Sequence, residues 1–390
     1  MRRFLSAIAV LVLSGAAAVA GPLTGAPEKI AAGDGTKLAA TYYAGEKPGP
    51  GILLLHQCNK DRSSWNSLAE SLARSGFHVL TFDYRGFGET PGKPFAELSP
   101  DEATKMVNEV FPADVDAAYA WLRAQPGVQG VTGAGGASCG VNQSIQLSRR
   151  HPEVKSLVLL SGNTDRTGRQ YLATKSSPPL MIAAADDDGG VVNMMAFIDA
   201  SSGNPANRFV EYEKGGHGTV MFQAHPELPA EIVAWYAATL SGRGKPASTD
   251  NAARRGSPTV RMLMATDEPG GFARAAEMLE AERKKDPNSS MLQPGWVNFL
   301  GYQALGAGDT KGAVAIMMVN VEGQPGSANA WDSLGDAYLA DGQREKAREA
   351  SEKSLRLLDA DKSVTTEEGR KAIRESAQGK LNQLQPRPTP

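Results

Sequence analysis

The chain has 390 residues, 41% of them hydrophobic and 22% charged, which is enough for two or three domains that each bury a core. Its 41 Lys and Arg nearly balance its 43 Asp and Glu, and the formal charge of −2 argues against nucleic acid or an anionic membrane surface as a partner. The two cysteines, Cys58 and Cys139, are too few for a disulfide scaffold, so stability must come from packed cores.

The N-terminus has the features of an export signal. Two arginines follow Met1, an apolar run extends to Leu13, and Ala18 and Ala20 supply the small-x-small pattern that signal peptidase reads. The apolar run is too short to span a bilayer comfortably, although a retained anchor is the alternative. No Cys follows the run, which argues against a lipid-anchored form. We therefore expect residues 1–20 to be removed and the mature protein to be periplasmic or secreted, without stable membrane insertion.

From Lys29 to Leu240 the sequence alternates short apolar runs with longer amphipathic stretches. Continuous apolar strands separated by helices indicate a mostly parallel sheet covered by helices on both faces, which is an α/β fold. The predicted strands are Gly51–Gln57, His78–Tyr84, Val128–Gly133, Ser156–Ser161, Leu180–Ala185 and Arg208–Tyr212, and the predicted helices include Ser64–Ser75, Pro112–Ala124 and Pro229–Leu240.

The composition changes after residue 243. Residues 244–258 are rich in Gly, Pro, Ser, Thr and charge and have no apolar periodicity, so they are interpreted as a linker. The strand pattern is absent beyond them. We therefore predict one domain at 21–243 and a second, all-α domain at 259–390.

The last third of the chain repeats itself at a displacement of 34 residues. The second copy contains W-x-x-L-G-x-x-Y beginning at Trp331, which resembles the consensus of tetratricopeptide (TPR) repeats. A twelve-residue spacing from Ala275 to Pro287 indicates a degenerate earlier copy. Such a stack is near the minimum that buries a shared core, and it could bind a protein or peptide partner. The shared positions are Leu300, Gly301 and Ala313 in one copy and Leu334, Gly335 and Ala347 in the next.

The segment from Gly136 to Gly140 (GASCG) indicates a hydroxyl nucleophile. It matches G-x-S-x-G and lies between an apparent strand and a helical segment that runs towards Arg150. Small neighbours permit the tight strand-to-helix turn that exposes the hydroxyl, and the helix N-terminus favours developing negative charge. We predict Ser138 as the nucleophile.

A base and an acid should follow the nucleophile in the sequence. His217 lies just after the last predicted strand in a glycine-rich turn that can reach the nucleophile, and we predict it as the base. The strand before it runs directly into three acids, of which Asp188 lies nine residues beyond Pro179 and is predicted to orient the imidazole. Asp187 is the alternative acid. Three adjacent acids could instead form a calcium-binding loop.

Two backbone N–H groups should bind the oxyanion that forms during acyl transfer. We assign them to Cys139, directly after the nucleophile, and to Cys58, in the loop after Gly51–Gln57. Both cysteines then lie at the oxyanion hole, where they could be close enough for a disulfide. They could form a redox latch in an oxidising compartment, or they could be two free thiols chosen for their size.

Five segments together resemble the landmarks of α/β-hydrolases, nearest to the dienelactone-hydrolase-like branch: HQCNKDRSSW, FDYRGFGET, GASCGVNQ, AADDDGG and GGHGTV. The resemblance extends over residues 29–242, and Ser138, Asp188 and His217 stand in the α/β-hydrolase order. At the oxyanion loop, Gln57 stands where these enzymes commonly have Gly. Dienelactone hydrolases proper use a Cys within G-x-C-x-G. Here Ser stands at the centre and Cys139 one place later, so a Cys139 nucleophile is the lesser alternative.

These observations predict a serine hydrolase that cleaves carboxylic ester or thioester bonds of small molecules through an acyl-enzyme, with no metal and no cofactor. Residues 162–179 leave no room for a large lid domain, whereas residues 91–111 could overhang the site. Two alternatives remain: a peptidase on the same fold, and an inactive hydrolase domain that serves as a binding module linked to the TPR-like domain.

Overall fold

The computed structural model describes residues 25–245 and 252–385. The first range contains a sheet with flanking helices, and the second is all helical. The predicted signal segment, residues 1–20, and residues 246–251 of the predicted linker lie outside the described residues. In the two described ranges, no helix combines the length and the apolar character needed to cross a membrane.

An eight-stranded sheet forms the centre of the first domain. Its strands are β1 (Ala26–Ala31), β2 (Lys37–Tyr43), β3 (Gly49–Leu55), β4 (His78–Phe82), β5 (Val128–Ala137), β6 (Val154–Leu160), β7 (Leu180–Ala185) and β8 (Arg208–Tyr212). The spatial order is β1-β2-β4-β3-β5-β6-β7-β8, in which β2 is antiparallel to both of its neighbours and all other pairs are parallel. The predicted α/β fold with a mostly parallel sheet is confirmed.

Helices cover both faces of this sheet and bury two apolar clusters, one on each side. Double-sided burial explains why the central strands are continuous apolar runs. Strands β1 and β2 were not predicted from the sequence. In β1 only Ile30 is buried, so this edge strand carries no apolar run. The helices of the first domain are α1 (Asn66–Arg74), α2 (Pro100–Lys105), α3 (Phe111–Arg123), α4 (Cys139–Arg150), α5 (Arg166–Leu172), α6 (Val191–Ser201), α7 (Met221–Ala224) and α8 (Leu228–Ser241).

Residues 252–385 form a stack of helices. Helix α9 (Ala252–Arg255) lies in the predicted linker, and the second domain contains α10 (Pro258–Thr266), α11 (Gly271–Lys285), α12 (Pro294–Gly306), α13 (Thr310–Gly323), α14 (Ala328–Ala340), α15 (Arg344–Leu358) and α16 (Glu367–Leu384). Gly301 of α12 lets α13 approach closely, since a Cβ there would be 2.7 Å from the Cγ of Met317. Gly335, which lies 34 residues later, occupies the corresponding place in α14 against Ser351 of α15. The predicted all-α region is confirmed, and its assignment to the TPR family stays a prediction.

The second domain packs against helix α6 of the first. Met194 and Phe197 of α6 belong to the same buried cluster as Met262 and Leu263 of α10. Apolar burial between the two domains therefore continues the core of the helical stack.

Two ion pairs strengthen this domain interface. Arg255 binds the fully buried carboxylate of Asp199 at 2.6 and 3.0 Å. Arg169 binds Asp267 at 2.6 and 2.7 Å. Arg255 lies within the predicted linker, so that part of the linker forms helix α9 and is held to the first domain.

The Arg255–Asp199 pair gives a testable prediction about stability. Arg255→Gln would leave a buried carboxylate without its cation, and we expect the free energy of unfolding to fall by roughly 2 kcal/mol. Urea denaturation of the full chain measures the change. The matched control is Arg356→Gln, which breaks an exposed pair with Glu352 and should have little effect. Equal small losses in both variants would show that Arg255 does not stabilise the interface.

Candidate active site

Ser138 occupies a strained turn between β5 and α4. Its φ is 53°, and Ser161 is the only other non-glycine residue with a positive φ in the described part of the chain. Only glycine fits at the two flanking positions. A Cβ at Gly136 would be 2.0 Å from the carbonyl oxygen of Gly140, and a Cβ at Gly140 would be 2.4 Å from the carbonyl oxygen of Leu55. The G-x-S-x-G spacing therefore holds one serine at a turn that larger neighbours would not allow.

Helix α4 begins directly after Ser138, at Cys139. The Ser138 N–H donates to the Leu160 carbonyl at 2.9 Å, and the Val141 N–H donates to the Ser138 carbonyl at 3.0 Å. The Ser138 hydroxyl does not cap the helix. The backbone is thus fixed from both sides, and the helix N-terminus provides a positive potential beside the hydroxyl.

His217 and Asp188 are directly hydrogen-bonded. Asp188 follows β7, and its carboxylate oxygens accept from the His217 Nδ1 at 2.8 and 3.0 Å. Asp187 instead accepts the backbone N–H groups of Gly215 and Gly216 at 3.1 and 3.0 Å. The two neighbouring acids therefore have different partners. Asp188 orients the imidazole, and Asp187 holds the backbone of the loop that carries it.

Ser138, Cys139 and His217 line one cavity of about 670 Å³. With Asp188 bound to Nδ1–H, the Nε2 of His217 is left as the proton acceptor. The two residues predicted as nucleophile and base, which are 79 positions apart in the sequence, thus line the same cavity. Their catalytic roles stay predictions that this geometry supports.

The two cysteines at the predicted oxyanion hole are joined. Cys58 and Cys139 form a disulfide with their Cα atoms 5.9 Å apart. The bond connects the N-terminus of α4 to the loop after β3, which are the two segments assigned to the oxyanion N–H groups. Of the two interpretations from the sequence, the structure contains the bonded pair.

Two buried side chains fix the loop that carries Cys58. The Nε2 of His56 accepts the Tyr84 N–H at 3.1 Å, and its Nδ1 donates to the Gln57 carbonyl at 2.9 Å. Burial lowers the pKa of His56 below its usual 6.5, which keeps the neutral ring that these two bonds require. The Gln57 Oε1 accepts the backbone N–H and the hydroxyl of Thr219 at 2.9 and 3.1 Å. Gln57, which stands where α/β-hydrolases commonly have Gly, therefore ties the oxyanion loop to the loop of His217.

Other residues of the cavity were not identified as site residues from the sequence. Phe95 and Val107 come from the segment that was predicted to overhang the site, and Ser161 comes from the loop after β6. Trp296 and Phe299 come from α12 of the second domain. Nothing in the local pattern around α12 distinguishes a cavity-lining face from an ordinary packing face, so only the tertiary structure could find them.

The described residues contain no group of three or more His, Cys, Asp or Glu side chains that could hold a metal ion. Within the acidic run, Asp187 and Asp188 each bind a different protein group. This arrangement does not support the calcium-loop alternative.

A family model described as alpha/beta hydrolase fold matches residues 50–176. A thiohydrolase of Aspergillus aculeatus is 35% identical over 98 residues, which cover 24% of this chain and 28% of that protein. An uncharacterised protein of Mycobacterium tuberculosis is 32% identical over 153 residues, which cover 36% of this chain and 50% of that protein. This chain therefore spans half or less of the length of these curated relatives.

Two solved structures are similar to part of this chain at low sequence identity. An esterase of Pyrococcus furiosus has 16% sequence identity and a TM-score of 0.47, covering 56% of this chain and 92% of that one. A dienelactone hydrolase of Anabaena variabilis has 16% identity and a TM-score of 0.45, covering 56% of this chain and 100% of that one.

The disulfide can be tested by counting thiols. Purified, denatured protein should show no reactive thiol before reduction and two after it, because both cysteines of the chain are in the bond. The bond joins residues 81 positions apart, so its reduction should lower the free energy of unfolding by roughly 2–4 kcal/mol. A Cys58→Ser/Cys139→Ser variant is the control and should not respond to reductant. Two free thiols in the unreduced protein would contradict the bond.

Proposed function

Because the first domain has the α/β-hydrolase fold, we propose that the protein is a serine hydrolase that cleaves carboxylic ester or thioester bonds of small molecules. The observation that carries this proposal is the convergence of Ser138 and the His217–Asp188 pair on one cavity. The thiohydrolase among the relatives supports the inclusion of thioesters.

The proposed reaction is acyl transfer through a covalent ester. The Ser138 hydroxyl attacks the substrate carbonyl while the Nε2 of His217 takes its proton, and Asp188 stabilises the imidazolium that forms. The N–H groups of Cys139 and Cys58 bind the oxyanion, and each such donor contributes about 10²–10³-fold to the rate. His217 then protonates the departing alcohol or thiol. Water attacks the acyl-enzyme with His217 again as base, which releases the acid and restores Ser138.

We propose an exported protein, periplasmic or secreted. The export signal predicted from the sequence at residues 1–20 supports this proposal. The Cys58–Cys139 disulfide supports it, since such bonds persist in oxidising compartments.

For the second domain, the 34-residue repeat supports a TPR-like stack. A binding module with an inactive hydrolase domain is less well supported, because the proposed acid and base remain directly paired. Recruitment of a protein or peptide partner by the stack remains compatible with catalysis.

A fluorophosphonate probe tests the proposed nucleophile. The wild-type protein should be labelled, Ser138→Ala should not, and His217→Ala should react at least about 10³-fold more slowly because the hydroxyl loses its base. His151→Ala is the matched control, since His151 pairs with Asp116 and does not line the cavity. A wild-type protein that stays unlabelled in both the oxidised and the reduced state would overturn the proposal in favour of the binding module.

Paired acid variants test the assignment of the third residue. Asp188→Asn should lower kcat on a small ester by about 10³–10⁴-fold, since an amide cannot hold the required tautomer or stabilise the imidazolium. In Asp187→Asn the amide oxygen can still accept the N–H groups of Gly215 and Gly216, so we expect a loss below about 10-fold. Steady-state kinetics on both variants decide the assignment, and a larger loss at Asp187 would reverse it.

A further inference from the structure

The active-site cavity is not built by the hydrolase domain alone. Helix α12 of the second domain contributes Trp296, Phe299 and Gln303 to its lining. These positions are separated by three and four residues, so they share one face of the helix. That face forms one wall of the cavity that Ser138 and His217 also line.

The contribution from α12 is mainly aromatic. The rings of Trp296 and Phe299 stack with their centroids 5.9 Å apart and their planes 22° from parallel. The hydrolase domain adds Phe95, Val107 and Met194 to the same lining, so most of the accessible surface of the cavity is apolar. An apolar substrate group placed there would be removed from water on several sides.

Trp296 also lies next to the loop that carries the catalytic acid. A Cβ at Gly190, two residues after Asp188, would be 3.8 Å from the Cε3 of Trp296, which is an ordinary van der Waals contact. Trp296 is itself only 6% exposed. The aromatic wall therefore lies against the loop that begins at Asp188.

The position of the wall depends on the domain interface. The buried cluster that holds Trp296 also contains Met194 and Phe197 of α6. The Arg169–Asp267 pair fixes the end of α10, and the Arg255–Asp199 pair fixes α9. These contacts hold the second domain in one place relative to Ser138, as a specificity pocket requires.

Ser161 gives a further indication that the cavity is built for a ligand. It lines the cavity, it has a φ of 46°, and its fully buried hydroxyl has no hydrogen-bond partner among the described residues. Strained backbone conformations cluster at active sites and ligand-binding sites, and an unpaired buried polar group in a native structure requires an explanation such as a bound ligand.

We propose that the second domain is the specificity domain of this hydrolase: Trp296 and Phe299 bind an apolar group of the substrate, so the enzyme selects esters or thioesters that carry a large apolar acyl or alcohol group. This inference rests on the proposed function. It assigns to the helical stack a direct contact with substrate, in addition to any partner that it binds.

Two substrate series test the proposal with the full chain. One series is p-nitrophenyl esters with acyl chains from two to ten carbons, and the other is acetates of primary alcohols of the same range. In at least one series, kcat/KM of the wild type should rise with chain length. Trp296→Ala and Phe299→Ala should lower kcat/KM for the longest member about 10–100-fold and leave the shortest within about 3-fold. The series that responds identifies whether the acyl or the alcohol group occupies the wall.

Two further variants separate a substrate contact from loosening of the helical domain. Trp331→Ala truncates an aromatic residue of α14 that does not line the cavity, and it should keep the wild-type chain-length preference. Trp296→Phe should restore most of the preference that Trp296→Ala loses, because a large ring remains at the wall.

The outcomes distinguish this inference from the proposed function. An unchanged chain-length preference in Trp296→Ala and Phe299→Ala, with fluorophosphonate labelling intact, would overturn the specificity role alone. An equal loss of preference in Trp331→Ala would also overturn it, since general loosening would then explain the effect. A wild-type protein that neither reacts with the probe nor turns over any ester would overturn both proposals.

Discussion

The close approach of three backbone segments around Ser138 is the constraint on which the rest of the site depends. Strand β5 turns into helix α4 within one residue, and the end of β3 lies against the same turn. Gly136 and Gly140 make this possible because no Cβ fits at either position. The buried parallel sheet resists relaxation of the turn, so the strain at Ser138 is held by the core of the domain.

The loops around this turn are joined to one another by a disulfide and by side-chain hydrogen bonds, in addition to being anchored on the sheet. The Cys58–Cys139 disulfide joins the loop after β3 to the N-terminus of α4, and Gln57 joins the same loop to the segment after His217. Asp187 binds the backbone N–H groups of Gly215 and Gly216, which lie on the N-terminal side of His217. Each loop is thus fixed by a contact to another loop, which pre-organises the groups that would bind the oxyanion and transfer the proton.

The second domain contributes to the same cavity. Its core includes side chains of α6, and its helix α12 lines the cavity with the aromatic rings of Trp296 and Phe299. The first domain supplies Phe95, Val107 and Met194 to the same lining. If the proposed specificity role is correct, the stability of the domain interface and substrate selection are linked.

The sequence by itself determined the fold class and the order of the predicted site residues. Apolar runs and helical periodicity are local signals, and GASCG, the acidic run and the glycine-flanked His217 each follow a strand that the pattern predicts. Edge strand β1 was missed because an edge strand has no apolar run to detect.

Only the tertiary structure decided which acid reaches His217, that the two cysteines are bonded, and that Gln57 contacts Thr219 across 162 positions of sequence. It alone placed Trp296 at the cavity. The reason is that contacts between distant segments leave no periodicity in the chain: a face of α12 that lines a substrate cavity and one that packs against another helix have the same apolar pattern.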